Sequence, residues 1–67
     1  MKAFAFMLPG ERRSSDDLRF WVERYYQRDK VVGYRYQVHD VDKGRFYRCR
    51  NLTEVFEAMR EARGGSQ

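Results

Sequence analysis

Apolar and polar side chains alternate through the middle of the chain, from Val31 to Arg50. Side chains in a β-strand switch sides at every residue, so this alternation is typical of a strand with one buried face. The apolar side of the first half consists of Val32, Tyr34, Tyr36 and Val38. Its polar side consists of Arg35, Gln37 and His39. Asp42-Lys43-Gly44 then fits a short turn in which Gly44 takes the left-handed conformation, so the segment predicts a β-hairpin.

The second strand of this hairpin repeats the division between an inner and an outer side. Burial of Tyr47 and Cys49 directs the residues between them outward, because a slip of one residue would invert the whole set. The predicted outward face of the hairpin, with no acidic residue in it, consists of Arg35, Gln37, His39, Phe46, Arg48 and Arg50.

The segment from Lys2 to Leu8 is apolar on both sides, where Phe4, Phe6 and Leu8 alternate with Ala3, Ala5 and Met7. This pattern favours a central strand with both faces covered, and Pro9-Gly10 then ends it.

A helix is predicted next, capped by Ser14 or Ser15 and running to about Arg28. Two acidic residues in its first turn, Asp16 and Asp17, fit the helix dipole. Its apolar stripe consists of Leu18, Trp21, Val22 and Tyr25. Phe20 falls on the opposite side of this helix, and it forms a candidate protein contact there together with Arg24 and Gln27.

The chain is expected to end in a second helix, capped by Asn51, with Glu54 placed to complete a capping box. Gly64-Gly65 stops this helix, and Ser66-Gln67 should fray. Its buried stripe consists of Leu52, Val55, Phe56 and Met59.

The order of elements is therefore β-α-β-β-α. It predicts a small two-layer α+β domain over residues 1–67, with residues 64–67 as a frayed tail. Two helices would cover one face of a three-stranded sheet and leave the other face open.

The run from Tyr34-Arg35-Tyr36 through Ala58, a hairpin followed by a capped helix, is locally similar to the arm domains at the amino ends of phage-type integrases. Those domains consist of a three-stranded sheet and a helix. The similarity covers about a third of the chain. The predicted helix between the first strand and the hairpin departs from that plan, so we infer no membership and transfer no residue role.

Composition adds a positive charge that is concentrated in the hairpin. The 67 residues have a formal net charge of +4, and 16% of them are aromatic. Residues 31–50 contain five Lys or Arg against two Asp or Glu. A basic balance of this kind favours a nucleic acid, an anionic surface or an acidic protein as partner.

Residues for catalysis are few. His39 is the only histidine and Cys49 the only cysteine, and alternation places them on opposite sides of the hairpin. Asp40 and Asp42 fit turn formation better than cation binding. No glycine-rich phosphate loop precedes a helix. The sequence therefore predicts a protein that is not an enzyme, with no cofactor and no metal.

Cellular location follows from the same features. A lone cysteine excludes an internal disulfide and fits the reducing cytoplasm. The apolar run near the amino terminus is too short to span a bilayer, so we expect no membrane partner.

Two functions remain open. In the first, the hairpin face binds nucleic acid: Arg35, Arg48 and Arg50 neutralise phosphates, Phe46 stacks on a base, and Gln37 and His39 donate hydrogen bonds. Arg12 and Arg13 would extend this basic track. In the second, the protein is a regulator or inhibitor of the phage or mobile-element type that docks on an acidic protein surface. A homodimer is a further open alternative, as is a charged face that is merely solvated.

Overall fold

The computed structural model describes residues 4–26 and 33–64 and contains four strands followed by one helix. All four strands form one antiparallel sheet in chain order, so each strand pairs with the next. The helix packs against the last two strands. The elements are β1 (Arg12–Ser14), β2 (Phe20–Arg24), β3 (Tyr36–Asp40), β4 (Arg45–Cys49) and α1 (Leu52–Ala62).

The protein is a small α+β domain, but the predicted three-stranded sheet with two helices is wrong. The expected first strand is absent from residues 4–8, which form a turn and irregular chain. Phe6 in this segment has a left-handed φ of 59°, which interrupts any extended run. Phe4 and Met7 are nevertheless buried and pack into the core. Lys2 and Ala3 lie outside the described residues.

The expected helix from Ser14 or Ser15 is also wrong, because this stretch forms β1, a turn and β2. Ser15 donates a hydrogen bond from Oγ to Oδ1 of Asp17 at 2.7 Å. The backbone N–H of Ser15 donates to the carbonyl of Phe20 at 2.8 Å, which closes the turn. Short polar side chains of this kind stabilise turns as readily as helix starts. The last two residues of the expected helix lie outside the described ranges.

Phe20 is therefore not an exposed contact residue. Alternation along β2 directs Phe20 and Val22 toward α1, where both are fully buried, and directs Trp21 the other way. The guanidinium carbons of Arg19 and Arg63 lie 5.2 and 4.9 Å from the centre of the Phe20 ring. The predicted exposure of Phe20 is corrected by its place on a strand.

The hairpin is present as β3 and β4, and its predicted division into two sides is confirmed within those strands. Val38 lies opposite Tyr47 on the side of the core, and His39 lies opposite Phe46 on the other side. Gly44 has a φ of 64°, and its N–H donates to the carbonyl of Asp40 at 2.8 Å. Val31 and Val32 are outside the described residues.

Helix α1 begins at the predicted cap. Asn51 Oδ1 accepts a hydrogen bond from the N–H of Glu54 at 2.9 Å. The Glu54 carboxylate accepts in turn from the N–H of Arg50, one residue before the expected capping-box partner. At the other end, the carbonyl of Ala62 accepts from Arg19 at 2.9 Å and from Lys43 at 3.0 Å. Two loops of the sheet thus hold the negative end of the helix.

One core joins the sheet to the helix. Its buried hydrophobic members are Phe4, Met7, Phe20, Val22, Tyr36, Val38, Cys49, Val55, Met59 and Ala62. Two residues of the predicted helical stripe, Leu52 and Phe56, pack against this core while partly exposed. Within the ranges that the structure covers, no helix is long and apolar enough to cross a membrane.

Candidate functional site

The side of the sheet away from α1 is called the outer face here. The pairing register places two residues of each strand on it, because directly paired residues point the same way. These residues are Arg12, Ser14, Trp21, Glu23, Gln37, His39, Phe46 and Arg48. Helix α1 packs on the opposite side, and no other helix or strand of the described chain lies over them. The outer face is thus the broad open surface of the sheet.

Three rings cross the outer face in one line, and we call Trp21, His39 and Phe46 the aromatic row. His39 stacks on Phe46 with ring centres 4.6 Å apart and planes inclined by 17°. Trp21 meets His39 edge to face, with centres 4.6 Å apart and planes at 80°. The distance between neighbouring ring centres is close to the distance between neighbouring strands, so the pairing of the strands brings the rings into contact. Phe46, at the end of the row, is 58% exposed.

A polar row lies beside the aromatic row and consists of Arg12, Glu23, Gln37 and Arg48. The guanidinium carbon of Arg12 lies 4.7 Å from the centre of the Trp21 ring. Arg12 also forms a long ion pair with Glu23 at 3.8 Å, in which the Arg12 side chain is largely exposed. An exposed pair of this length contributes little stability, so the Arg12 side chain is free to exchange its partner for a ligand.

Gln37 is oriented by a neighbour. The hydroxyl of Tyr25 donates to Gln37 Oε1 at 3.0 Å, which leaves the amide N–H groups of Gln37 as donors. Arg48 is exposed beside it. The polar row therefore offers hydrogen-bond donors and cations next to exposed ring surface.

Five of the residues proposed for nucleic-acid contact lie together on the outer face: Arg12, Gln37, His39, Phe46 and Arg48. Arg35 and Arg50 are exposed just beyond the ends of β3 and β4. The N–H of Arg35 donates to the carbonyl of Cys49 at 2.9 Å, which keeps these two ends adjacent. The guanidinium carbon of Arg50 lies 5.7 Å from the centre of the Tyr34 ring. Both arginines thus lie beyond one end of the hairpin strands, beside the outer face.

Arg12 and Arg13 do not form a continuous track. Arg13 pairs with Val22 in the register and so points to the inner side, away from Arg12. Its side chain is half-buried and donates to Glu11 at 2.8 Å and to the carbonyl of Ala5 at 2.9 Å. Arg13 thus holds the amino-terminal segment against the sheet, and the predicted role on the basic surface falls to Arg12 alone.

The proposed protein-contact group is not assembled either. Phe20 is in the core, as described above. Arg24 donates to the carbonyl of Met7 at 3.1 Å, and its guanidinium carbon lies 5.4 Å from the centre of the Tyr36 ring. Gln27 is outside the described residues. Arg24 therefore supports the fold from the inner side of β2.

Trp21 and Glu23 are outer-face residues that the sequence reasoning missed. Helical spacing placed Trp21 in a buried stripe, whereas the shorter pattern Phe20-Trp21-Val22-Glu23 also alternates with period two. That alternation, next to a Ser-Asp turn, was the signal for a strand. Glu23 adds one acidic group to a surface that was expected to have none.

The two candidate catalytic side chains are separated by the sheet. Cys49 is 2% exposed, and burial, with a smaller contribution from Glu54, raises the pKa of its thiol to about 11. His39 lies on the other side, and its Nδ1 is buried without a hydrogen-bond partner in the part of the chain described. The same ranges contain no group of three or more residues arranged to hold a metal. A Cys-His pair is not formed.

Asp40 acts as the turn residue that the sequence indicated. Its fully buried carboxylate accepts hydrogen bonds from the N–H groups of Asp42 and Lys43, at 3.1 and 3.3 Å. Arg19 donates to both of its oxygens at 3.4 Å. Burial favours the neutral carboxyl group and raises its pKa. The hydrogen bonds favour the charged form more strongly, so the pKa of Asp40 lies below its ordinary value.

Comparisons with known proteins reveal no relative. No family model matches the chain, and searches of curated proteins and of solved structures give no significant match.

Proposed function

We propose that this protein binds nucleic acid through the outer face of its sheet, as a binding protein without catalytic activity that works in the cytoplasm. The observation that supports this most directly is the aromatic row, which ends in the exposed ring of Phe46 and lies beside the polar row that contains the cations Arg12 and Arg48. Aromatic rings offer stacking surface to bases of any sequence, and arginines neutralise phosphates.

The charge of the face fits this function only when its ends are included. Within the strands, Arg12 and Arg48 oppose a single carboxylate, Glu23. Arg35 and Arg50 add two exposed cations beside Arg48. Positive charge is thus greatest at the end of the sheet where β3 begins and β4 ends, and that end would meet the phosphates.

A second candidate is a protein-binding regulator or inhibitor that docks on an acidic partner, and separate observations favour it. Phe6 is 94% exposed and Leu8 69% exposed, in a segment fixed by the buried side chains of Phe4 and Met7. An apolar cavity of about 520 Å³ lies on the helix side, lined in part by Phe4, Phe56 and Met59. Exposed apolar groups of this kind occur at protein interfaces, and nucleic-acid binding makes no use of them.

Titration of labelled oligonucleotides, single-stranded and duplex, at two salt concentrations tests the proposal. We expect binding that weakens with salt, and that weakens further in Arg48→Ala and Phe46→Ala. Loss of one phosphate contact should make the log–log salt slope about 0.7 shallower for a single strand in Arg48→Ala.

Arg60→Ala is the matched control, because it removes the same charge from the exposed side of α1, far from the outer face. Equal losses in Arg48→Ala and Arg60→Ala would indicate attraction to net charge alone. If no oligonucleotide binds more tightly than about 10⁻⁴ M at low salt, nucleic-acid binding is excluded and the protein-partner function takes its place. Sedimentation of the same samples measures the oligomeric state.

A further inference from the structure

We propose that the outer face binds one unpaired base, stacked on the free side of the Phe46 ring at the β4 edge, and that the nucleic-acid strand runs along β4. This inference depends on the proposed nucleic-acid function and specifies its ligand as single-stranded, RNA or DNA. Four observations support it.

The first observation concerns the two faces of the Phe46 ring. His39 occupies one of them, since the two rings are nearly parallel with centres 4.6 Å apart. The other points away from β3, and β4 is the last strand of the sheet. More than half of Phe46 is exposed, at 58%. A planar group placed there would extend the existing stack by one ring.

The second observation excludes Trp21 as the primary platform. The guanidinium of Arg12 already lies over the Trp21 ring at 4.7 Å, and His39 meets Trp21 edge to face. A base stacked on that face of Trp21 would have to displace the guanidinium. Trp21 is therefore a positioning residue that supports His39, which in turn supports Phe46.

The third observation concerns the backbone of β4. In an antiparallel pair the N–H and C=O groups point alternately toward and away from the neighbouring strand. The hydrogen bond from Gly44 to Asp40 and the bond from Arg35 to Cys49 fix this alternation. Tyr47 and Cys49 thus bond to β3, while the backbone groups of Phe46 and Arg48 point off the edge. The base site thus borders backbone donors and acceptors that no other strand of the described chain pairs with.

The fourth observation indicates the path of the bound nucleic-acid strand along β4. Arg48 follows Phe46 by two residues on the same face, and the exposed Arg50 follows two residues later. Residues two positions apart on one face of an extended strand lie about 7 Å apart, and Arg50 comes directly after Cys49, the last residue of β4. Phosphates that follow a base bound at Phe46 would meet these arginines along β4 and would not cross the aromatic row.

Stacking on Phe46 requires a base that is not inside a duplex. Bases in a duplex are covered on both faces by their neighbours, so only an unpaired base can place a face on a protein ring. The geometry therefore favours a single strand over a duplex of the same sequence.

The test uses a single-stranded DNA hexamer with 2-aminopurine at a central position, the matching RNA, and the DNA annealed to its complement. Binding should quench the 2-aminopurine in both single strands, and the duplex should bind more weakly. Phe46→Leu keeps an apolar side chain but removes the ring, and it should weaken binding about 5- to 150-fold. Phe46→Trp should restore both affinity and quenching.

Arg60→Ala is the comparison variant and should stay within about threefold of wild type, whereas Trp21→Phe keeps a ring beside His39 and should lose less binding than Phe46→Leu. Thermal unfolding of each variant checks that the fold is retained. If Phe46→Leu binds like wild type while Trp21→Phe loses binding, the base lies on Trp21; this inference then fails and the proposed function stands. Preference for the duplex would also overturn it. If no oligonucleotide binds any form, the proposed function itself fails and a protein partner replaces it.

Discussion

Phe20 and Phe46 are the same residue type on opposite faces of one sheet, with different surroundings. Phe20 is fully buried beneath α1, and Phe46 is 58% exposed on the outer face. Helical spacing predicts Phe20 on the side of a helix away from the apolar stripe, where its substitution would leave stability nearly unchanged. Strand alternation reverses that expectation.

Phe20→Ala should reduce the free energy of unfolding by about 3–5 kcal/mol, since truncating a buried phenylalanine removes its burial and leaves a cavity. Domains of this size are seldom more stable than about that amount, so the variant should be largely unfolded at 25 °C. Phe46→Ala serves as the control and should cost less than about 1 kcal/mol. Thermal and urea unfolding of both variants measure the difference, and equal losses would contradict the assigned faces.

At the end of α1, ionised side chains connect the helix to a turn of the sheet. Arg63, just after the helix, donates to Asp17 in the β1–β2 turn at 2.6 Å. This hydrogen bond, with a further one from Ser15, lowers the pKa of Asp17 well below its ordinary value of 3.8. The pKa of Asp40 is lowered as well. The folded state thus favours both carboxylates in their charged form.

A carboxyl group with a lowered folded pKa contributes stability above its unfolded pKa and loses that contribution as the pH falls toward the folded value. Unfolding free energies measured from pH 6 to pH 2 should therefore be flat at first and decline below about pH 4. Asp17→Asn should be less stable at pH 6 and show a shallower decline. Asp16→Asn, at an exposed carboxylate without an ion pair in the described chain, should follow wild type. A decline of equal slope in Asp17→Asn would exclude this role for Asp17.

The elements that the sequence predicted well are those whose signals are local and mutually consistent. The hairpin has alternation on both strands and a glycine at its left-handed turn position, and α1 has a cap, a stripe and a glycine stop. Residues 14–25 have conflicting signals, because Leu18, Trp21, Val22 and Tyr25 fit helical spacing while Phe20 to Glu23 fit a strand. Residues 20–24 form a strand because they pair with β3, which lies more than ten residues further along the chain.

The outer face was only half predictable for the same reason. Gln37, His39, Phe46 and Arg48 come from the hairpin and follow from its register alone. Arg12, Trp21 and Glu23 join them through pairing of β1 and β2, which a short sequence pattern does not encode. The sequence thus indicated a basic surface with one aromatic residue, whereas the assembled sheet presents three rings in contact.

At the scale of the whole molecule, Cys49 reports on opening of the fold. Its thiol is 2% exposed, and burial raises its pKa to about 11, so almost none is thiolate at neutral pH. Alkylation by iodoacetamide at pH 7.5 should therefore require unfolding, and its rate should follow the unfolded population.

Mass spectrometry of timed samples measures this rate. Phe20→Ala should accelerate labelling strongly, and Phe46→Ala should change it little. Rapid labelling of native wild type, at the rate of a short cysteine peptide, would show that Cys49 is reachable without unfolding.

The position of β4 at the margin of the four-stranded sheet also affects how the molecule behaves in concentrated solution. Two copies that aligned their β4 strands would bring Arg45, Arg48 and Arg50 of each chain close together, and like charges in register repel one another. Added salt shortens the range of this repulsion to about 10 Å at 0.1 M, and a bound polyanion would neutralise it outright. The guanidinium groups proposed to attract a ligand therefore also keep free molecules apart, and variants that lack them should aggregate sooner on concentration.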